Sequence, residues 1–372
     1  PIFIDIGKSQ RILLSRNNLN YKHVIGLFLI VFAFNKFFIN KTFYEKIVYT
    51  GIPPSKVIEQ LEGTIFIYDH LNERQIISDN KNKFKGITIR LGSEPVAKIY
   101  RDESQMPIWP VDAVTTILGY DPKRFLLIGV GTASQALALS KLYPDCEIVI
   151  VELVEAIIQE LKESGGALTK NVISNAEIYT MDGGRFIRTK VRQKNFKKFD
   201  IIQIGIFHIT VSGAGNLFTK EFLSEAKKLL NPGGLISSHA YLNAVKAGTK
   251  VFESVYVFGN DDKDRIAAEA IFTDQDELSE ESLKSRHKKT TKNILHKLKN
   301  DASVKTGSQI NYNTWVLKKK YLDISLNELG IVEQTNDLVA TENFLLNRIS
   351  FGQFMRDPRF WPKTQNALDL DN

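Results

Sequence analysis

Cysteine is nearly missing from this chain: Cys146 is the single one in 372 residues. That excludes an internal disulfide and any cysteine-rich metal site. Cys146 also opens the apolar run Cys146-Glu-Ile-Val-Ile-Val-Glu-Leu, where a small buried hydrophobe is expected. The six histidines are scattered with no pair at ligand spacing, so no metal is expected. There is no P-loop and no Gly-x-Ser-x-Gly elbow, which removes the commonest nucleotide-triphosphate and hydrolase signatures. Nor is there an internal repeat or a low-complexity tract. Hydrophobic residues make up 43% and charged residues 24%, the balance of an ordinary folded protein. Charge of one sign is also scarce. The 49 basic and 42 acidic residues leave +7, a surplus that attracts anions and argues mildly against a cationic substrate unless its pocket is acidic.

The chain begins at Pro1 without a methionine, as a fragment or a processed chain would. Long hydrophobic runs are absent but for Val24 to Phe34, followed by Asn35-Lys36 and then Phe37-Phe38-Ile39. A spanning helix needs roughly 20 apolar residues, and roughly 10–14 more often mark a core or interfacial helix. A membrane anchor through residues 24–39 and a buried helix are both open, the first requiring Lys36 to snorkel. Lys and Arg flank the run on both sides, so no orientation follows. A cytoplasmic or membrane-associated location is expected, and residues 1–50 read as an N-terminal segment.

What is present is a change of texture along the chain. Gly51-Ile-Pro-Pro-Ser punctuates it. Residues 51–110 then read as a small antiparallel β-domain, with strands at Thr64–Tyr68, Arg74–Ser78 and Gly86–Leu91. Residues 111–273 alternate strand and helix. Phe125–Val130, Glu147–Val151 and Asp200–Ile204 are continuous apolar runs, as strands buried on both faces should be. Ser134–Leu142, Val154–Lys162 and Lys220–Leu230 read as the helices between, and Asn231-Pro-Gly-Gly as a stop and turn. The alternation predicts right-handed crossovers and a mostly parallel sheet, with Val251–Phe258 added antiparallel. Residues 274–310 are dense in charge on helix-compatible sequence and read as a solvated helical insertion, with no nucleic acid expected. Residues 311–372 read as a C-terminal extension packing on the core.

The chemistry concentrates at strand ends. Leu127-Ile-Gly-Val-Gly-Thr runs from a buried strand through Gly129 and Gly131 towards a helix, so that backbone can approach a ligand closely. Glu152 ends the next strand, where an acidic side chain can bind ribose hydroxyls. Asp182 and Gly183 follow the third strand, where they can hold an adenine edge. Each has a plain structural reading as well, as a cap or a turn. All three on the carboxyl edge of one sheet favour a ligand site. Ser134 stands where a dinucleotide fingerprint needs its third glycine, which favours an adenosyl sulfonium over a dinucleotide.

These residues resemble the polyamine aminopropyltransferases (the spermidine synthase family), over roughly Gly63 to Ile271. Asp121-Pro-Lys-Arg-Phe-Leu-Leu-Ile-Gly, Asn231-Pro-Gly-Gly-Leu-Ile-Ser-Ser and Phe252-Glu-Ser-Val-Tyr-Val-Phe-Gly carry the likeness. It implies a Rossmann-like class I AdoMet-methyltransferase fold of α/β class, preceded by a small antiparallel β-domain. It also implies transfer of the aminopropyl group of decarboxylated AdoMet to putrescine or a longer polyamine. By resemblance Gly129, Gly131 and Thr132 line the nucleotide, Glu152 holds the ribose, and Asp182 with Gly183 the adenine. Thr132 replaces an aspartate usual in the glycine loop. Gly205 and His208 stand where the family carries two carboxylates, the first of which deprotonates the attacking amine. The family's helix before the core brings a tyrosine and an acidic residue to the polyamine pocket, and Met106-Pro-Ile-Trp-Pro-Val-Asp112 occupies that place. The loop from Thr210 to Phe218 corresponds to one that covers the active site.

Aminopropyl transfer requires an unprotonated amine, so it needs a base. His208 and Tyr241 are the candidates, with Asp112 in reserve. Three readings stay open: a spermidine synthase-like transferase with altered chemistry, a methyltransferase using AdoMet itself, and a non-catalytic scaffold on the same fold. The expected partners are an adenosyl nucleoside as co-substrate, a polyamine or another small acceptor, and a second copy of the chain.

Overall fold

The structure is a computed structural model that describes residues 2–5, 11–14, 54–60, 63–70, 86–92, 94–103, 111–206, 214–262, 265–299, 314–319 and 368–369. The chain divides into two units, 1–56 and 57–372. In the first, β1 (Ile2–Asp5) and β2 (Arg11–Leu14) pair antiparallel. The apolar run 24–39 lies outside the described residues. Among the described residues, no helix is long and apolar enough to cross a membrane.

The small sheet has the order β3 (Lys56–Gln60), β4 (Gly63–Asp69), β5 (Gly86–Leu91) and β6 (Glu94–Tyr100). Pairing is antiparallel across β4–β5 and β5–β6. β4 and β5 are the strands expected at 64–68 and 86–91, while the one expected at 74–78 lies outside the described residues. Ile65, Ile67, Ile87, Ile89 and Ile99 are buried and join one hydrophobic cluster with the helices of the αβ core. Just past β6, Glu103 is buried. Its Oε1 accepts the Thr169 amide at 2.6 Å, capping a helix that opens at Ala167.

The core is a sheet of nine strands. In chain order its elements are α1 (Val111–Leu118), β7 (Arg124–Ile128), α2 (Ser134–Leu142), β8 (Glu147–Glu152), α3 (Glu155–Ser164), α4 (Ala167–Asn175), β9 (Glu177–Thr180) and α5 (Gly183–Val191). Then come β10 (Phe199–Ile204), a 3-10 turn (Ala214–Phe218), α6 (Lys220–Lys227), β11 (Leu230–His239), α7 (Leu242–Thr249), β12 (Ser254–Asp262), β13 (Arg265–Thr273), α8 (Glu280–Lys299), β14 (Thr314–Lys318) and β15 (Leu368–Asp369). Their order across the sheet is β15-β14-β12-β13-β11-β10-β7-β8-β9. The five strands from β11 to β9 are parallel. The other four add antiparallel to that edge. The expected antiparallel strand at 251–258 is β12, but β13 lies between it and β11.

The α/β class and the mostly parallel sheet follow from side-chain pattern. β7 and β10 are buried at every position, so apolar clusters form on both faces of the sheet. Asn231-Pro-Gly-Gly does not end before β11. It is taken into that strand as an irregularity, the pairing jumping from Phe199–Leu230 to Ile201–Leu235. The charged segment after β13 is helical, as expected, but one side of α8 is covered. Leu283 and Ile294 are buried, and the Arg286 guanidinium reaches the Ile117 carbonyl at 3.2 Å.

The amino edge of the sheet is pinned by Asp200, itself buried. Its Oδ2 accepts the amides of Lys123 at 2.7 Å and Arg124 at 3.0 Å, and its Oδ1 accepts Asn231 Nδ2 at 2.8 Å. One carboxylate thus joins the starts of β7, β10 and β11. Nearby, burial pushes the Cys146 thiol up to about 12, which leaves it protonated and unreactive at neutral pH. Asp200→Ala strands two backbone amides at this edge. Denaturant unfolding is expected to show a loss of about 2–4 kcal/mol, and a loss under about 0.5 kcal/mol would refute the pinning role.

Candidate functional site

In parallel αβ sheets the ligand crevice lies at the carboxyl edge, where the strand order reverses. Here β7 is flanked by β8 on one side and β10 on the other. The ends of these strands bring together the residues the sequence singled out.

The turn after β7 is built by two glycines with left-handed backbone, Gly129 at φ 82° and Gly131 at φ 49°. Ala133 (φ 61°) then opens α2. A side chain at Gly131 would meet nothing within 4 Å, so this part of the loop is open to an approaching ligand. Thr132 turns inward to the helix start: its hydroxyl donates to Ser134 Oγ at 3.0 Å and accepts the Ser134 amide at 3.3 Å.

Glu152 lies directly against this loop. Its Oε2 accepts the Val130 amide at 2.8 Å and its Oε1 the Val154 amide at 2.9 Å. The amides of Leu153 and Gly131 also act on it. The residue is 6% exposed. Burial, the larger effect, raises its pKa, and the four amides oppose the rise. Amides that a dinucleotide-binding loop would offer to a pyrophosphate are here directed at a carboxylate. That fits a ligand without phosphate.

Asp182 is the N-cap of α5, its Oδ1 accepting the Arg185 amide at 2.7 Å. Its side chain is half exposed, with Arg188 4.0 Å away. Gly183 lies so close to β7 that an added Cβ would be 2.5 Å from Ile128 Cγ2. A small residue is required there for the cap to sit beside the glycine loop.

Gly205, after β10, faces Gly129 across the reversal point. A Cβ on Gly205 would lie 2.5 Å from the Gly129 carbonyl oxygen and 3.0 Å from Leu127 Cδ1. No side chain fits there without displacing backbone. The nearest polar side-chain atom to that point is Gln135 Nε2, at 3.6 Å. Gln135 is buried and belongs to a short polar string, with the Ser134 hydroxyl 3.4 Å from its Oε1.

His208, the first candidate base, lies outside the described residues, as do 207–213 and 104–110. Tyr241 is 1% exposed and packs edge-on against Phe218 at 5.1 Å. Burial, with the Glu269 charge behind it, raises its pKa well above the usual phenol value. Such a phenol keeps its proton and cannot act as a base at neutral pH. Asp112, the reserve candidate, is in the first turn of α1.

Sequence reasoning missed Gln135 and a second group, Glu269. Glu269 is 1% exposed and pairs across the sheet with His239, at the carboxyl end of β11. Its Oε1 accepts Gln203 Nε2 at 2.9 Å and the Ser237 hydroxyl. The signal was available, as a lone carboxylate inside the apolar run Ala267-Ala-Glu-Ala-Ile-Phe. Among the described residues, no cluster of three or more potential ligands could hold a metal.

This arrangement has counterparts. No family model matches the chain. A polyamine aminopropyltransferase of Vibrio vulnificus is 29% identical over 122 residues, which is 32% of this chain and 38% of that protein. A probable spermidine synthase from Corynebacterium glutamicum superposes with a TM-score of 0.51 at 15% identity, covering 77% of this chain and 98% of the other. The chain is spermidine synthase-like in fold. The spermidine synthase of Thermotoga maritima is a more distant likeness, with a TM-score of 0.42 at 16% identity over 60% and 74% of the two chains. The sequence match spans well under two thirds of the Vibrio protein, so likeness is established for the fold and the core, not for a whole enzyme.

Two measurements test the site's construction. Glu152→Ala leaves the buried Val130 and Val154 amides without their acceptor, an expected loss of about 2–4 kcal/mol in denaturant unfolding. Because the folded-state pKa is raised, the carboxyl's own contribution is fully present below its ordinary value of 4.5 and lost as pH rises through the raised one. The gap between wild type and Glu152→Ala should thus be wider near about pH 5 than near about pH 8; a gap that widens with pH would refute the assignment. Separately, Gly205→Ala should cost about 1–3 kcal/mol by overpacking against the Gly129 carbonyl. A neutral effect there would mean that the crevice has room for a side chain.

Proposed function

We propose that the carboxyl edge of β7, β8 and β9 binds an adenosyl nucleoside, and that the chain transfers the aminopropyl group of decarboxylated AdoMet to a polyamine. One observation carries the reading: the glycine loop, the buried Glu152 carboxylate and the Asp182 cap stand at successive strand ends on one edge. In this reading Glu152 accepts from the ribose hydroxyls in exchange for part of its amide shell. Asp182 and Gly183 hold the adenine edge. Gly129 and Gly131 let the backbone approach the sulfonium side of the ligand, with Thr132 at the rim.

In the transfer, the acceptor nitrogen attacks the aminopropyl carbon bonded to sulfur. The carbon–sulfur bond breaks, and the sulfonium leaves as the neutral thioether of methylthioadenosine. The proton lost by nitrogen must reach a base. Gly205 supplies none, and Tyr241 holds its proton. Without a positioned carboxylate the reaction draws on the fraction of amine already unprotonated, roughly one part in a thousand at neutral pH for an amine of pKa about 10. Methyl transfer from AdoMet is the second reading. It is favoured by the neutral Gln135 amide beside Gly205, since such chemistry can rest largely on positioning.

Calorimetry with decarboxylated AdoMet, AdoMet and methylthioadenosine, each with and without putrescine or spermidine, separates these readings. Tight binding of the decarboxylated donor, strengthened by a polyamine and weakened about tenfold or more in Asp182→Ala, is the expected result. Turnover should then climb about tenfold per pH unit between about pH 7 and pH 9, following the free amine. A preference for AdoMet would move the chain to methyl transfer, and binding of none would leave a scaffold.

A further inference from the structure

The formal surplus of the whole chain is +7, and a single segment of it holds seven basic residues and no acidic one. These are Arg185, Arg188, Lys190, Arg192, Lys194, Lys197 and Lys198, on α5 and the turn that leads into β10. α5 is amphipathic in the ordinary sense. Phe186 and Ile187 are fully buried in the core, and the opposite side is exposed.

Intramolecular partners account for only part of this charge. Lys190 donates to the Tyr179 hydroxyl at 3.0 Å and lies over the rings of Tyr179, Phe186 and Phe196. Arg188 and Lys197 have exposed carboxylate partners in Asp182 and Glu147, pairs that exchange readily with solvent. Arg185, Arg192, Lys194 and Lys198 form no side-chain hydrogen bond or ion pair with any described residue. A cation at the last turn of a helix is favoured by the helix dipole, but Lys194 and Lys198 lie past that turn and gain nothing from it. Like charges at such spacing repel one another in the free protein. A polyanion laid along them removes the repulsion.

The geometry points to a linear polyanion. Arg185, Arg188 and Arg192 recur at i, i+3 and i+7 and so share one helix face, spanning about 10 Å along the axis. Lys194 and Lys198 follow as exposed cations in the turn beyond the helix end, beside the exposed amides of Gln193 and Asn195. Arginine forks suit phosphate oxygens. A lipid surface fits less well. A helix that lies on a membrane puts its apolar side into the bilayer, and the apolar side of α5 is already buried. The only large exposed hydrophobics among the described residues are Tyr120 and Leu153, neither of them on this segment.

We propose that the exposed face of α5 and the 192–198 turn binds the phosphate backbone of a nucleic acid without reading its sequence. This departs from the expectation, drawn at the charged run of residues 274–310, that the chain meets no nucleic acid. The test is independent of the nucleoside reading, because Arg192, Lys194 and Lys198 lie at and past the far end of α5 from Asp182.

Fluorescence anisotropy of the full chain with labelled single-stranded RNA and duplex DNA of about 20 nucleotides tests it, between about 50 and about 200 mM salt. Binding should weaken with salt at a log–log slope of about 3 to 5, the value for four to six phosphate contacts. The triple variant Arg192→Gln/Lys194→Gln/Lys198→Gln should bind at least about tenfold more weakly, with a slope shallower by about 2 to 3. Lys288→Gln/Lys289→Gln/Lys292→Gln on α8 should bind as wild type does. No binding at the lowest salt would overturn the proposal, as would equal losses in the two triples. Tighter, α5-dependent binding to vesicles of anionic phospholipid would overturn it in favour of a membrane surface.

Discussion

The ligand edge depends on one buried carboxylate. Glu152 ends β8, yet its two oxygens are held by backbone amides from both its own turn and the loop after β7. A charge taken out of water is costly unless several donors surround it. Here the donors are amides that the left-handed glycines Gly129 and Gly131 bring into range. The dependence runs both ways: the glycine turn keeps its shape because the carboxylate is beneath it, and the carboxylate is tolerated because the turn covers it. Substituting either member disturbs the other. A change in affinity at Glu152 therefore combines direct contact with loop geometry, whereas Asp182, half exposed and bonded only within its own helix start, reports more directly on a ligand.

A second constraint follows at the reversal point. Gly129 carries the turn and its carbonyl closes the space above Gly205. The same glycine that opens the loop on one side thus forbids a side chain on the other. In the resemblance, the position of Gly205 belongs to a carboxylate, and that group could not be restored here by one substitution without moving backbone. Among the described residues, the polar side chains nearest this point in space and in sequence are neutral, Gln135 and Gln203. A second buried carboxylate on this edge is Glu269, tied to Gln203 and Ser237.

How much of this was legible from residues alone depended on how strongly a pattern is forced. β7, β8 and β10 were readable because strands buried on both faces carry unbroken apolar runs. The glycine loop was readable because left-handed backbone demands glycine. The cap at Asp182 was visible as an Asp-Gly after a strand, but its helix was not. α5 starts with two glycines and carries a basic residue at every second or third position after them, which hides a helical period behind charge. Its apolar pair, Phe186 and Ile187, is too short a signal to show amphipathicity. β13 was missed for the opposite reason: Glu269 interrupts an apolar strand, and only the partners supplied by β10 and β11 explain why it can be there. Asn231-Pro-Gly-Gly misled, because two glycines and a proline fit a strand irregularity as well as a turn.

The distribution of charge resolves the tension between a basic protein and a cationic acceptor. A surplus of +7 spread evenly would repel a polyamine from every side. It is not spread evenly, since residues 185–198 alone hold seven cations. α5 starts beside the crevice at Asp182 and leads away from it towards the start of β10, where Lys197 meets Glu147 at the opposite edge of the sheet. Fields between exposed charges fade over about 10 Å at ordinary ionic strength, so cations past the end of α5 act weakly on the strand-end crevice. Arg185 and Arg188, within two turns of Asp182, are the exceptions. They sit where an adenine edge is proposed, and not where an amine would attack, so their charge bears on the nucleoside more than on the acceptor. A chain can therefore be basic overall while much of its surplus lies away from Gly205.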